Sequence, residues 1–347
     1  MSSAGWDPAS PLAALAVEQG IHCLPIPTPF AVGRVNCYLI DDDPLTLVDA
    51  GPNSGRALDE LERCLRALGR RIEDLELLVV SHQHMDHLGL VDILQKRSGA
   101  EVAALELIVP WMARYAESME AGDVFAEAVM ARHGIPEDIG LALRSVASSF
   151  RGWGAGATVT RPLSDGQDLG LRDRTLHILH RPGHSPSDTV FHDEARRTLI
   201  AGDHLIKHIS SNPLISRPPD APLDDPELAR GLARPRSLMI YIESLRATRE
   251  MHLDLILPGH GEAFDGHAEL IDERLRMHDR RAAKLLNLVR EEPRTAYELA
   301  QALWGNVAVT QAYLTLSEVL GHMDLLLEDD SVAEVLDDAG VVHFEAR

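Results

Sequence analysis

The 347-residue chain holds only three cysteines, Cys23, Cys37 and Cys64, and no Cys-x-x-Cys pair. A disulfide framework is therefore excluded. Aromatics are sparse, with four Trp, five Tyr and six Phe. Positive charge is short as well: 33 Lys and Arg stand against 54 Asp and Glu, for a formal charge of −21. A polyanion would be repelled at long range, so the composition speaks against nucleic acid as the main partner. No run approaches the roughly 18 apolar residues of a membrane span, and no membrane partner is expected. The opening MSSAGWDPASPLAALAVEQG has no basic n-region, and Glu18 and Gln19 cut its Ala/Leu stretch. It makes a poor secretory signal, so the expected location is cytoplasmic.

What is present reads as α/β. Short apolar runs bounded by turn residues, at Val35–Ile40, 45–48 and Leu77–Val80, read as strands. Leu58, Leu61, Leu65 and Leu68 mark one face of a helix over 54–68, with Asn53 or Ser54 as its N-cap. A β-β-α-β order thus precedes the first chemical motif. After a strand at Glu101–Leu105, residues 106–150 lack alternation and read as two or three helices broken near Gly134 and Pro136. This helical insertion, taken as 106–157, carries Trp111, Tyr115, Phe125, Phe150 and Trp153. It is either a satellite with its own small core or a lid that walls an apolar substrate.

Strands resume at 174–181, 189–192 and 198–201, followed by a Pro-rich loop, a helix over 235–249 and a strand at 253–257. A long helix spans 268–292. Further helices run to Trp304 and over 310–323, and two apolar stretches, 331–336 and 341–344, flank the Asp337-Asp338-Ala339-Gly340 turn. Helix, helix, hairpin is the order of a small winged-helix module. Residues 296–347 contain one Arg, no Lys and ten Asp or Glu, so a phosphate backbone would find no counter-charge there. The tail is expected to pack against the rest or to form a homodimer contact.

The informative stretch is Ser81-His82-Gln83-His84-Met85-Asp86-His87, directly after a strand. Three imidazoles and a carboxylate gathered this closely cost desolvation and mutual repulsion unless a cation compensates. On an extended segment His82 and His84 point the same way. A turn into a helix near His87 then aims Asp86 and His87 at a second point beside the first, a layout that suits two adjacent metals. Three more residues sit where a strand ends in a tight turn: His184 in Pro182-Gly183-His184, Asp203 in Gly202-Asp203, and His260 in Pro258-Gly259-His260-Gly261. One histidine after a glycine is ordinarily a surface residue, but three such turns accompany a His/Asp cluster here.

This ordered set, H-x-H-x-D-H, then P-G-H, G-D and P-G-H-G, resembles the metallo-β-lactamase superfamily over roughly residues 20–265. The tail resembles, more weakly, the winged-helix-like extension carried by one branch of these hydrolases. The resemblance implies an αββα sandwich with the site at one edge of two sheets. It divides the chain into an N-terminal extension (1–20), a catalytic domain (21–267) and a long helix plus winged-helix-like domain (268–347).

Carried over position by position, the resemblance implies that His82, His84 and His184 bind one metal and that Asp86, His87 and His260 bind a second. Asp203 would bridge both, and Asp49 would orient the ligand loop, since ligating imidazoles need an acceptor on their other nitrogen. The implied cofactor is a pair of divalent ions, zinc first, with iron or manganese compatible with the same donors. A metal-activated hydroxide would then attack an electrophilic centre, with Asp86 as catalytic proton carrier. The expected activity is hydrolysis of an ester, thioester or lactone of a small molecule. The alternatives are a phosphodiesterase or endoribonuclease, a mononuclear iron dioxygenase, and a non-catalytic metal-binding protein. A β-lactamase proper is disfavoured, because Asp203 stands where the best-known lactamases carry Cys. At least one of His204, Lys207 and His208, on the loop after Asp203, is expected to contact substrate, and Lys207, His208, Trp111 and Tyr115 are the candidate substrate residues. Ser211 and Asn212 are placed to donate to an oxyanion.

Overall fold

Three sheets organise the chain, and a computed structural model describes residues 5–347. Residues 1–4, the start of the expected N-terminal extension, lie outside the described residues. The first sheet contains, in order, β1 (Ile21–Ile26), β2 (Val35–Ile40), β3 (Thr46–Val48), β4 (Leu77–Val80), β5 (Glu101–Leu105) and β6 (Arg161–Leu163). The second contains β7 (Asp168–Gly170), β8 (Thr175–His180), β9 (Thr189–Asp193), β10 (Thr198–Gly202) and β11 (Leu255–Pro258), with β7 and β11 at its edges. A third, small sheet pairs β12 (Arg294–Thr295) and β13 (Val332–Leu336) on either side of β14 (Val342–Ala346).

The strand β1 escapes the sequence pattern because Pro25 interrupts it and removes a ladder donor. It is tolerated because β1 is an edge strand paired only with β2. The order before the histidine motif is therefore β-β-β-α-β.

Period-two alternation builds the layers. Along β4, Leu77 and Val79 join Tyr38, Phe191 and Leu255 in the cluster between the two large sheets. Leu78 and Val80 turn the other way and join Leu61, Leu65 and Leu94 of the Gly55–Ala67 and Val91–Ser98 helices. On the second sheet, Leu199 and Ile256 face outward to Leu238, Tyr241 and Ile271 of the Ser237–Arg249 and His267–Glu291 helices. The stacking is helix, sheet, sheet, helix.

A buried cation ties the far ends of the two sheets together. Arg174 donates from Nε to Asp42 at 3.2 Å and from Nη2 to the Gln19 carbonyl at 2.6 Å, and Nη1 lies 3.8 Å from Asp193. Arg174→Met leaves the buried Asp42 carboxylate without its cation and Asp193 with Arg196 alone. The unfolding free energy should fall by about 3–5 kcal/mol in urea titrations; a loss below about 1 kcal/mol would remove the clamp from the account.

The helical insertion forms the Tyr115–Arg132 and Glu137–Phe150 helices, broken at Gly134, whose φ is 89°. A separate small core for this insertion is not what the structure holds. Phe125, Val129 and Met130 share one cluster with Leu285, Leu316, Leu320 and Phe344 from the C-terminal part. The tail is anchored by polar contacts as well. Arg234 makes two 2.7 Å bonds to Asp324 of the Ala312–Glu328 helix, Arg281 pairs with Glu318, and His278 Nδ1 lies 3.1 Å from His322 Nε2. Among the described residues, no helix is long and apolar enough to cross a membrane.

Candidate metal centre

Four turns at strand ends bring seven side chains together. His82 comes two residues after β4, and His84 is the N-cap of the short Met85–Leu88 helix, so both rings project from one segment. The helical turn that follows swings Asp86 and His87 to a second position. His184 follows β8, Asp203 ends β10, and His260 ends β11, which is parallel to β10.

The donors form two triads. His84 Nδ1 lies 3.0 Å from His82 Nε2 and 2.9 Å from His184 Nε2. Asp86 Oδ2 lies 3.4 Å from His260 Nε2, and His87 completes this second group within 4.8 Å. Asp203 stands between them. Its Oδ2 is 3.5 Å from both His184 Nε2 and His260 Nε2, and its Oδ1 is 3.5 Å from His87 Nε2.

Hydrogen bonds on the far side of three rings, those of His82, His87 and His260, fix which nitrogen turns to the cluster. His87 Nδ1 donates to Asp49 Oδ2 at 2.7 Å, and His260 Nδ1 donates to the Arg34 carbonyl at 2.8 Å, so that Nε2 is the atom each ring turns to the cluster. His82 Nδ1 bonds Ser81 Oγ at 2.9 Å, and Ser81 in turn donates from N and Oγ to Asp49, each at 2.8 Å. Asp49 thus holds both halves of the motif. It does so from a left-handed backbone, φ 60°, a conformation that few residues other than glycine adopt readily. Of the residues that the motif does not name, Ser81 was findable, as the hydroxyl next to the first histidine. The Arg34 carbonyl has no sequence signature.

The two triads differ in protonation before a cation binds: against burial, Asp203 raises His87 well above its usual range and His260 to about 10, so each holds a proton that a bound cation would displace. Burial, reinforced by the neighbouring imidazoles, drives the pKa of His82 well below its usual range and that of His84 to about 3, so both are neutral. Burial opposes ionisation of Asp203, yet His260 and His87 hold its carboxyl well below the ordinary value. Two buried atoms that aim into the cluster, His87 Nε2 and Asp203 Oδ1, have no hydrogen-bond partner among the described residues. Unsatisfied polar atoms packed this closely are costly unless divalent ions sit among them, so the residues fit a metal centre.

The turn glycines are part of the fit. A Cβ added at Gly259 would come within 2.2 Å of Asp203 Oδ1 and 2.9 Å of His87 Cε1. Gly259→Ala should push Asp203 from its position and weaken metal binding about tenfold, read by competition with a chromogenic chelator; an unchanged affinity would show that the turn can yield.

The cluster opens into a cavity of about 700 Å³ whose walls are mostly apolar, among them Phe30, Met85, Trp111, Phe125 and Ile206. Trp111, an expected substrate contact, lines this space. Four other expected contacts lie outside its lining. Tyr115 turns back into the fold, donates to the Arg151 carbonyl at 2.9 Å and packs on Trp111. His204 is fully buried and bonds Thr248 Oγ1 at 2.8 Å. Lys207 and His208 are exposed and lie outside the cavity lining, because the loop turns Ile206 and Ile209 toward the cavity instead. Ser211 and Asn212 do line it, but Ser211 Oγ donates to the Asp203 carbonyl at 2.5 Å and Asn212 Nδ2 to the Leu314 carbonyl at 3.2 Å.

Known proteins match this outline. The profile of the Metallo-beta-lactamase superfamily matches residues 31–260. The probable metallo-hydrolase YqjP of Bacillus subtilis is 30% identical over 315 residues, which span 90% of this chain and 94% of that protein. The crystal structure of the metallo-beta-lactamase family protein TTHA1429 from Thermus thermophilus superimposes with a TM-score of 0.75 at 26% identity, covering 94% of this chain and 99% of the other. A shorter stretch, 44 residues or 13% of this chain, is 43% identical to the acyl-coenzyme A thioesterase MBLAC2 of Bos taurus and covers 16% of it.

Proposed function

The chain belongs to the metallo-beta-lactamase superfamily and is a metal-dependent hydrolase, and on that premise we propose that it cleaves an ester, thioester or lactone bond of a small acyl substrate at a two-metal centre. One observation carries the reading. Asp203 faces two donor triads at once, and the groups it joins open into a largely apolar cavity rather than a cationic groove. His82, His84 and His184 would hold one ion, Asp86, His87 and His260 the other, and Asp203 both. Zinc suits this nitrogen and carboxylate set, and iron or manganese would be accepted by the same donors. The bound ions supply Lewis acidity and a water acidified to roughly neutral pH.

The chain's own residues do the rest. Asp49 and the Arg34 carbonyl keep His87 and His260 in the tautomer that presents Nε2. Burial pushes the pKa of Asp86 up, but its hydrogen bond from His260 and the charges of His87 and His260 together bring it below the usual value. Asp86 lines the cavity and is the carboxylate we assign to carry a proton to the leaving group. Met85, Trp111 and Phe125 keep water from the acyl portion. Of these, Trp111 and Phe125 support the reading of the helical insertion as a substrate wall. The similarity of one segment to a thioesterase supports an acyl substrate. The apolar lining and the acidic tail, which we read as winged-helix-like in its order of helices and hairpin, speak against a phosphodiester substrate and a nucleic-acid partner.

The test is a panel of p-nitrophenyl esters, acyl thioesters, lactones and bis-p-nitrophenyl phosphate with the metal-loaded protein. Turnover of the carboxylic substrates and none of the phosphodiester is expected. The reverse pattern would overturn the assignment.

A further inference from the structure

The acidic C-terminal segment reads in the sequence as a packing or dimer element, yet two of its residues reach the cavity. Tyr313 and Leu314, at the start of the Ala312–Glu328 helix, line the same space as His84, His184 and Asp203. Leu314 is 40% exposed, which is high for a leucine facing a cavity, and Ile209 across the same lining is 38% exposed. Two large apolar side chains left open beside a metal-dependent hydrolase's donors are a surface waiting for an apolar ligand.

The same helix also holds the opposing wall in place. The loop that follows Asp203 is fastened to it at three points: Asn212 Nδ2 donates to the Leu314 carbonyl at 3.2 Å, Ile215 N donates to Ser317 Oγ at 3.3 Å, and Tyr313 Oη donates to the Ile215 carbonyl. At its other end the loop is fastened to the metal ligands, through Ser211 Oγ to the Asp203 carbonyl at 2.5 Å and Leu214 N to the His184 carbonyl at 3.4 Å. The far side of the cavity is Phe125, Met130 and Ile215, whose cluster is shared by the helical insertion and the tail. The cavity therefore runs from the donor triads to the joint between these two parts.

We propose that the C-terminal segment determines substrate specificity, with Leu314 and Tyr313 forming the wall against which the apolar acyl chain of the substrate lies. This rests on the acyl-hydrolase reading above and adds which part of the chain measures the acyl group. Each methylene that the wall covers should raise kcat/KM about fourfold until the cavity is filled, the exchange expected for burying one CH₂. Tyr313 and Leu314 act through binding; neither carries a proton or a metal.

The test compares kcat/KM for butyryl and decanoyl thioesters in the full-length, metal-loaded protein and in Leu314→Trp, Leu314→Ala and Leu336→Trp. Filling the wall with Trp should lower the decanoyl-to-butyryl ratio at least tenfold, and Ala should lower it severalfold. Leu336, exposed on the tail's hairpin and outside the cavity lining, is the control whose variant keeps the wild-type ratio. Metal content, measured alongside, should stay at the wild-type value in all three. A ratio unmoved by Leu314→Trp, with thioester turnover intact, overturns the proposal while the hydrolase reading stands. Should the wild type cleave no acyl substrate, that reading fails, and calorimetry with decanoate decides the wall by itself. Decanoate binding weakened at least tenfold by Leu314→Trp sustains it, and equal binding, or none by the wild type, overturns it.

Discussion

Asp203→Asn should lower kcat/KM by about a thousandfold, equivalent to about 4 kcal/mol of transition-state stabilisation, and should cost the protein at least one of the two ions proposed for it. The reason is geometric. Both carboxylate oxygens are used, one toward His87 and the other toward His184 and His260, all at 3.5 Å. Asparagine keeps the shape but offers one acceptor. Its amide nitrogen would present hydrogens to one triad in place of an anion, and the negative charge that offsets two cations would be gone. Kinetics together with elemental analysis check this. A variant within tenfold of wild type that keeps its full metal complement would show that Asp203 does not join the two triads.

The second large effect is expected from a residue that touches no proposed metal position. Asp49→Asn should cost about 10- to 100-fold in metal affinity or activity, the usual range for a group that orients ligating imidazoles. Asp49 accepts three hydrogen bonds, from Ser81 N, Ser81 Oγ and His87 Nδ1, and donates none. An amide in its place must turn its NH₂ toward at least one of those donors. If it turns toward His87, the ring loses the acceptor that turns Nε2 to the cluster. Stability should change far less than metal affinity, which separates a positioning role from a general loss of packing. Equal losses in both would count against it.

These two residues show what sequence could and could not convey. The donors were legible because three imidazoles and a carboxylate between 82 and 87 have no economical explanation other than a cation, and because each remaining donor follows a strand and a glycine. The strands were legible as short apolar runs bounded by turn residues, such as Leu77–Val80. By contrast, β1 was hidden by Pro25, whose tolerance depends on being at a sheet edge, a fact of topology rather than of local pattern. The acceptor for His260 is the Arg34 backbone carbonyl, and every residue has one.

The cavity walls were the least legible. Lys207 and His208 looked like substrate contacts because they are polar and near Asp203, but the direction of one loop decides which neighbours face inward, and Ile206 and Ile209 do. Tyr313 and Leu314 lie over a hundred positions from Asp203 in sequence, and only the packing of the tail on the helical insertion brings them to it.

The most direct test of the paired centre is anomalous diffraction from crystals of the protein purified without chelators, recorded on either side of the absorption edge of the metal found by elemental assay. Two peaks are predicted, one among His82, His84 and His184 and one among Asp86, His87 and His260, with Asp203 touching both. A single peak at full occupancy, or none after soaking with zinc, iron or manganese, would contradict the account.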